Sequence, residues 1–231
     1  MMWTNLPRAG FDTETTGVSV TNDRIVTAAI IIHDGEHEER YTWLADPGIE
    51  IPAAATAIHG ITTERVRKEG RPSTDVLAEV AEILERHMAN GNPVVAYNAS
   101  YDFTLLENEL ARHGLPTLAQ RLGGRVHPVV DPYYLDRHVD RYRKGKRTLE
   151  YLAAHYGVPA DENFHDAEGD VLMTLRVLDT ILAKYPELGQ TPLDVIENDQ
   201  RAAYEEFTDF ISRRYPRRTG EPRGWPVSLM S

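Results

Sequence analysis

Phe11-Asp12-Thr13-Glu14-Thr15-Thr16-Gly17 sets two carboxylates two residues apart in a short apolar segment that ends in a glycine turn. Side chains at i and i+2 of a strand project from the same face, so Asp12 and Glu14 can converge on one cation. Paired hard oxygen ligands suit Mg²⁺ or Mn²⁺. The pair alone is a weak signal. Acidic neighbours are frequent in a chain with 36 Asp and Glu, and a solvated strand end accounts for them equally well. The flanking sequence has to decide.

Ala9 to Glu14 reads as a first strand, and the β-branched run Ile25 to Ile32 as a second. Asp34-Gly35 is a favoured hairpin turn leading into a third strand through Tyr41, Trp43 and Leu44. After Ile51-Pro52, an alanine-rich stretch ending in Ile58-His59-Gly60-Ile61-Thr62 suits one or two helical turns. Val76, Leu77, Val80, Ile83, Leu84 and Met88 follow helical spacing, with Ser73 or Thr74 as the cap and an end near Gly91. Pro93 to Tyr97 and Val129-Val130 read as short strands. A helix from Asp102 to Gly114 lies between them, and a helix from Thr148 to Gly157 follows them. A meander followed by helix, strand, helix, strand, helix implies an α/β sandwich with a mixed five-stranded sheet flanked by helices.

The 231 residues suit one domain with room for an appendage. Residues 7–186 are expected to form it, and 187–231 a C-terminal helix and an arginine-containing tail. Hydrophobic residues at 41% and charged residues at 26% describe a globular protein, and no apolar run approaches the ~20 residues of a membrane span. With no basic-then-apolar start either, a cytoplasmic protein without membrane contact is expected. The absence of cysteine excludes disulfides, thiolate zinc sites and cysteine nucleophiles. A net charge of −11 argues against nucleic-acid binding driven by overall charge. It leaves room for a nucleic-acid enzyme whose carboxylates are neutralised by cations.

Two further clusters bear on chemistry. In Tyr97-Asn98-Ala99-Ser100-Tyr101-Asp102 a strand hands over to a helix, which puts Asp102 in the first turn, at the carboxyl end of a strand. A simple dipole-stabilising acid explains Asp102 as well. In His165-Asp166-Ala167-Glu168-Gly169-Asp170, Asp166 as helix cap leaves His165 on the preceding loop and Asp170 on the second turn, about 100° from the buried stripe Val171, Leu175, Leu178 and Leu182.

Taken together, these motifs resemble those of the DnaQ-like, or DEDDh, family of 3′–5′ exonucleases, which includes the epsilon proofreading subunit of bacterial DNA polymerase III. The likeness spans about residues 7–186 and includes Ile58-His59-Gly60-Ile61-Thr62 and the helix from Thr148. Within the family it is greatest to stand-alone actinobacterial-type members with a similar helix and tail. The resemblance implies an RNase H-like fold and two Mg²⁺ or Mn²⁺ ions held by Asp12, Glu14, Asp102 and Asp170. His165 is then the general base, a role worth roughly 10²- to 10⁴-fold in rate. Thr13, Thr15, Thr16, His59, Tyr97, Asn98 and Tyr101 correspond to positions around the terminal nucleotide, with Tyr97 standing where many relatives carry histidine and Tyr101 where many carry phenylalanine.

The expected activity is metal-dependent hydrolysis from the 3′ end of mainly single-stranded DNA, releasing nucleoside 5′-monophosphates in proofreading or repair. A DNA polymerase is a candidate partner. An exoribonuclease and, with less support, a non-catalytic nucleic-acid or polymerase-binding module are the alternatives. Arg141, Arg143, Lys144, Lys146 and Arg147 put five cations into seven residues, suiting either phosphate contact or a solvated loop.

Overall fold

A computed structural model describes residues 2–35, 37–159, 167–215 and 223–228. Its strands are β1 (Arg8–Thr15), β2 (Ile25–His33), β3 (Glu38–Asp46), β4 (Arg71–Pro72), β5 (Val94–Val95) and β6 (Val129–Val130). Short helices α1 (Ala53–His59) and α2 (Thr63–Glu69) precede α3 (Ser73–Ala89) and α4 (Ser100–Arg112). After these come α5 (Leu118–Arg121), α6 (Pro132–Val139), α7 (Leu149–Tyr156), α8 (Ala167–Lys184), α9 (Pro186–Gln190) and α10 (Leu193–Arg214).

The sheet runs β4-β3-β2-β1-β5-β6. The antiparallel meander β1-β2-β3 is its long part, and β5 and β6 add to β1 in parallel. Alternation along β1 and β2 sends successive side chains to opposite layers. Phe11, Ile30 and Trp43 pack under α3 and α4, while Ala29, Ile31, Val95 and Val130 pack under α7 and α8. The C-terminal helix joins both layers, through Tyr204 in the first and Ile196 in the second. Among the described residues no helix is long and apolar enough to cross a membrane.

Several expectations need correction. The sheet has six strands rather than five: Arg71 and Pro72 pair with the end of β3 (Ala45↔Arg71, Asp46↔Pro72). A two-residue strand has no periodicity to read, and proline lacks the donor that marks a ladder. Neither Ser73 nor Thr74 caps α3. Pro72 occupies the cap position, Ser73 Oγ donates to the Asp46 carbonyl, and the Thr74 hydroxyl pairs with His113 Nδ1. In the described part of the tail Trp225 and Ser228 are buried, and Ser228 N donates to Thr104 Oγ1 at 2.8 Å. The expected Asp166 cap lies outside the described residues. By contrast, the Asp34-Gly35 hairpin is present, with Gly35 at φ 93° and Asp34 N bonded to the His37 carbonyl.

Candidate active site

Gly10, Asp12 and Glu14 share one face of β1, and α8 lies across it. A side-chain carbon at Gly10 would stand 2.5 Å from Val171 Cγ1 and 3.1 Å from Leu175. The glycine therefore lets α8 settle onto the strand, which carries Asp170, the neighbour of Val171, up to the β1 carboxylates. Carboxylate oxygens of Asp12, Glu14 and Asp170 all lie within 4.8 Å of one another. Regular pairing with β2 breaks between Glu14 and Thr15, so the chain leaves the sheet just past the second carboxylate.

Asp102 stands beside this trio. It is buried in the first turn of α4 and accepts a hydrogen bond from Thr13 Oγ1 at 2.6 Å. Thr13 projects from the opposite face of β1 to Asp12 and Glu14, so the same strand that presents the trio also fixes the fourth carboxylate. The start of α4 is held by Asp131, whose carboxylate accepts from the amides of Asn98 (3.0 Å) and Ala99 (2.8 Å).

Burial, the first cause, and the charges of Asp102, Asp170 and Glu14 hold the Asp12 carboxyl well above the usual carboxylate range. Burial likewise pushes Asp102 up to about 7, opposed by the Thr13 hydrogen bond. Like charges this close, partly desolvated, need a counter-charge to ionise together. The donor set is all carboxylate oxygen, which fits hard divalent cations.

Next to Glu14 opens a cleft of about 450 Å³, lined in part by Thr27, Trp43, His59, Arg65 and Glu168. Arg40, paired with Glu168 at 2.5 Å, ties β3 to α8. His59 Nδ1 accepts from the Ile61 amide at 3.1 Å, which assigns the ring proton to Nε2. Burial lowers the His59 pKa, favouring the neutral ring. Its Nε2 and the Thr27 hydroxyl are both buried without a well-formed hydrogen bond among the described residues, the Thr15 backbone lying close enough to the ring to oppose the effect of burial. Two orphaned polar atoms in one cleft are a binding signal, because leaving each unsatisfied costs about 1–3 kcal/mol.

The other expected contacts divide. Thr15 Oγ1 meets the Gly17 carbonyl at 2.7 Å and the Tyr101 hydroxyl at 2.8 Å, which ties the turn after β1 to α4. The Thr16 hydroxyl is buried between Asp23 Oδ1 and the Arg24 amide, inside the turn. Tyr97 donates to the Arg147 carbonyl at 2.6 Å, and exposed Asn98 adopts φ 56°. His165 lies outside the described residues.

The basic cluster is largely committed to the protein itself. Arg143 and Arg147 pair with the buried Asp136 at 2.9 and 2.6 Å, and Arg141 pairs with Glu206. Lys144 and Lys146 remain exposed. Sequence reading missed Gly10, whose place opposite α8 has no local signature, and Asp131, which follows the short strand Val129-Val130. For Asp131 the pair Asp131-Pro132 was the usable signal, an acidic cap followed by proline at the first helical position.

Comparison with known proteins bears on the family and the fold. The RNase T exonuclease model matches residues 9–178. DNA polymerase III PolC-type from Streptococcus thermophilus is 36% identical over 170 residues, covering 73% of this chain and 10% of that protein. The PolC-type polymerase of Streptococcus pneumoniae is 31% identical over 214 residues, covering 88% and 14% respectively. The chain thus spans only a small fraction of the length of these relatives. Among solved structures, E. coli exonuclease I in complex with a dA16 oligonucleotide matches with a TM-score of 0.68 at 21% identity, covering 80% of this chain and 42% of that one. The shared architecture is RNase H-like. With the family model covering most of its length, this chain belongs to the DnaQ-like exonucleases, a family of nuclease enzymes.

Proposed function

We propose that the chain is a metal-dependent 3′–5′ exonuclease that removes nucleoside 5′-monophosphates from single-stranded DNA ends, and that residues 7–186 carry this chemistry. The observation that carries the reading is the junction of the Asp12, Glu14 and Asp170 carboxylates with a nucleotide-sized cleft holding two unsatisfied polar atoms. The DNA in the solved exonuclease I complex and the polymerase relatives favour DNA as the substrate.

In this reading Asp12, Glu14, Asp102 and Asp170 hold two divalent cations. When bound, such a pair acidifies the attacking water and offsets charge on the phosphate and the leaving oxygen. The cleft receives the 3′-terminal nucleotide, to which His59 Nε2–H and the Thr27 hydroxyl donate. Thr15 and Tyr101, hydrogen-bonded to each other beside Glu14, contact the same nucleotide from the α4 side. Thr13 orients Asp102, and Thr16 stiffens the turn. His165, on the segment before α8, accepts the proton of the attacking water; at an ordinary pKa near ~6.5 an imidazole is mostly a free base at neutrality.

The test uses 3′-labelled and 5′-labelled DNA and RNA oligonucleotides of equal length, with Mn²⁺ or Mg²⁺. Early release of the 3′ label as mononucleotide is expected, with DNA preferred over RNA. Asp12→Ala should reduce the rate at least about a thousandfold. Undiminished digestion by Asp12→Ala, or no digestion by the wild-type chain, refutes the proposal, and an RNA preference replaces it with an exoribonuclease.

A further inference from the structure

β6 is the outer strand of the sheet, only two residues long, and on its open side two side chains of α10 stand where another strand would be. The Val129 amide donates to Glu197 Oε1 at 3.0 Å. The Asp131 amide donates to Gln200 Oε1, and Gln200 Nε2 returns a bond to the Val129 carbonyl at 3.2 Å. Glu197 and Gln200 are three residues apart, hence neighbours on one helix face, and both are buried. A buried glutamine with its carbonyl and its amide both paired to one strand edge does more than fill space, since packing alone would favour an apolar side chain.

What this contact fixes is Asp131. With its amide held by Gln200, the Asp131 carboxylate accepts from three amides: Asn98, Ala99 and, at 2.9 Å, Tyr133. Ala99 is the residue before α4, and Asp102 sits in the first turn of that helix. Asn98 holds a left-handed φ of 56°, which asparagine tolerates better than most residues, and its amide is tied to Asp131. A continuous line of hydrogen bonds therefore runs from α10 through Gln200 and Asp131 to the backbone that aims Asp102. Gln200 lies beyond the segment matched by the exonuclease family model.

We propose that Gln200 is a positioning residue of the active site: through Asp131 it sets the start of α4 and so the placement of Asp102. This rests on the reading of Asp102 as a cation ligand. It makes the C-terminal helix part of the working enzyme rather than an appendage. Supports one step removed from metal ligands are typically worth 10- to 100-fold in metal affinity, and Gln200 acts one step further out.

The experiment compares the full-length wild type with Gln200→Met, which keeps length and volume and loses both hydrogen bonds. Amide hydrogen exchange, Mn²⁺ binding followed by electron paramagnetic resonance, and steady-state kinetics on a single-stranded oligonucleotide are read on each. Faster exchange is expected at Asn98 and Ala99 with Ile30 in β2 unchanged, together with roughly tenfold weaker Mn²⁺ binding and a lower kcat at unchanged KM. Wild-type Mn²⁺ affinity with unaltered exchange at Asn98 and Ala99 overturns the proposal. So does exchange that quickens equally across the sheet, the mark of a general loss of stability. Exchange and Mn²⁺ binding need no substrate, so they decide the matter even if the wild-type chain degrades none of the strands tried.

Discussion

The two flanks of β1 hold their parts of the site by different means. On one side β1, β2 and β3 are eight or nine residues each, in continuous antiparallel register from Arg8↔His33 to the break after Glu14↔Thr27. Backbone pairing alone fixes where Asp12 and Glu14 point. On the other side β5 and β6 are two residues each, and buried side chains complete what the backbone leaves unfinished. The first flank is held by a long backbone ladder; the second depends on a few side chains. Active-site precision therefore rests more heavily on the polar contacts of the short strands than on the long ladder beside them.

The sharpest way to break this contrast is Asp131→Ala. It leaves the Asn98, Ala99 and Tyr133 amides without their shared acceptor, at a cost on the order of 3 kcal/mol or more. A lower denaturation midpoint together with a loss of Mn²⁺ binding larger than in Gln200→Met is expected. Equal Mn²⁺ affinity in the variant and the wild type would show that the short flank does not aim Asp102.

A smaller effect arises where the flanks meet. In chelator-treated protein the Asp12 and Asp102 carboxyls are raised, so between about pH 4 and pH 7 the native state binds protons that the unfolded chain has released. Stability then falls as pH rises through that window. The melting temperature of the metal-free protein should drop by a few degrees from pH 5 to pH 8. Added Mn²⁺ should raise it more at pH 8 than at pH 5, since the ligands must be deprotonated to bind. A metal-free melting temperature that climbs over this range would contradict the crowding of carboxylates.

The smallest effect belongs to the long flank. Ile30→Val removes one methylene from a fully buried position opposite Phe11, for a loss of about 1 kcal/mol. Activity per folded molecule should stay at the wild-type level, because the ladder holds Asp12 and Glu14 regardless. A change in kcat from this substitution would erase the distinction between the flanks.

Much of the molecule was legible in the chain. The meander, α3 and α4 follow from runs of β-branched residues and from spacing by threes and fours, signals that survive without tertiary context. The three acidic motifs were legible because two of them sit at ends of strands, where chemistry gathers, and because Asp12 and Glu14 share a face by the geometry of a strand. Thr16, which the family likeness sets near the terminal nucleotide and turn formation explains equally well, spends its hydroxyl inside the turn on Asp23 and the Arg24 amide, a pairing that no local pattern announces. The arginines of the 141–147 loop suited either phosphate contact or a solvated loop. Two of them instead neutralise one buried carboxylate, Asp136, a pairing invisible to composition.

By itself the sequence determined the β1-β2-β3 meander, the helices α3 and α4 and the shared strand face of Asp12 and Glu14, because periodicity is local; the resemblance to a family, not spacing, joined Asp102 and Asp170 to that pair. Only the tertiary structure decided that Gly10 lets α8 close on β1, that Thr27 and His59 leave polar atoms unpaired in one cleft, and that Gln200 reaches Asp131 from a helix about seventy residues away. Each of these depends on surfaces brought together by burial, and whether a polar side chain becomes a partner, an orphan or a support is fixed by what the rest of the fold sets against it.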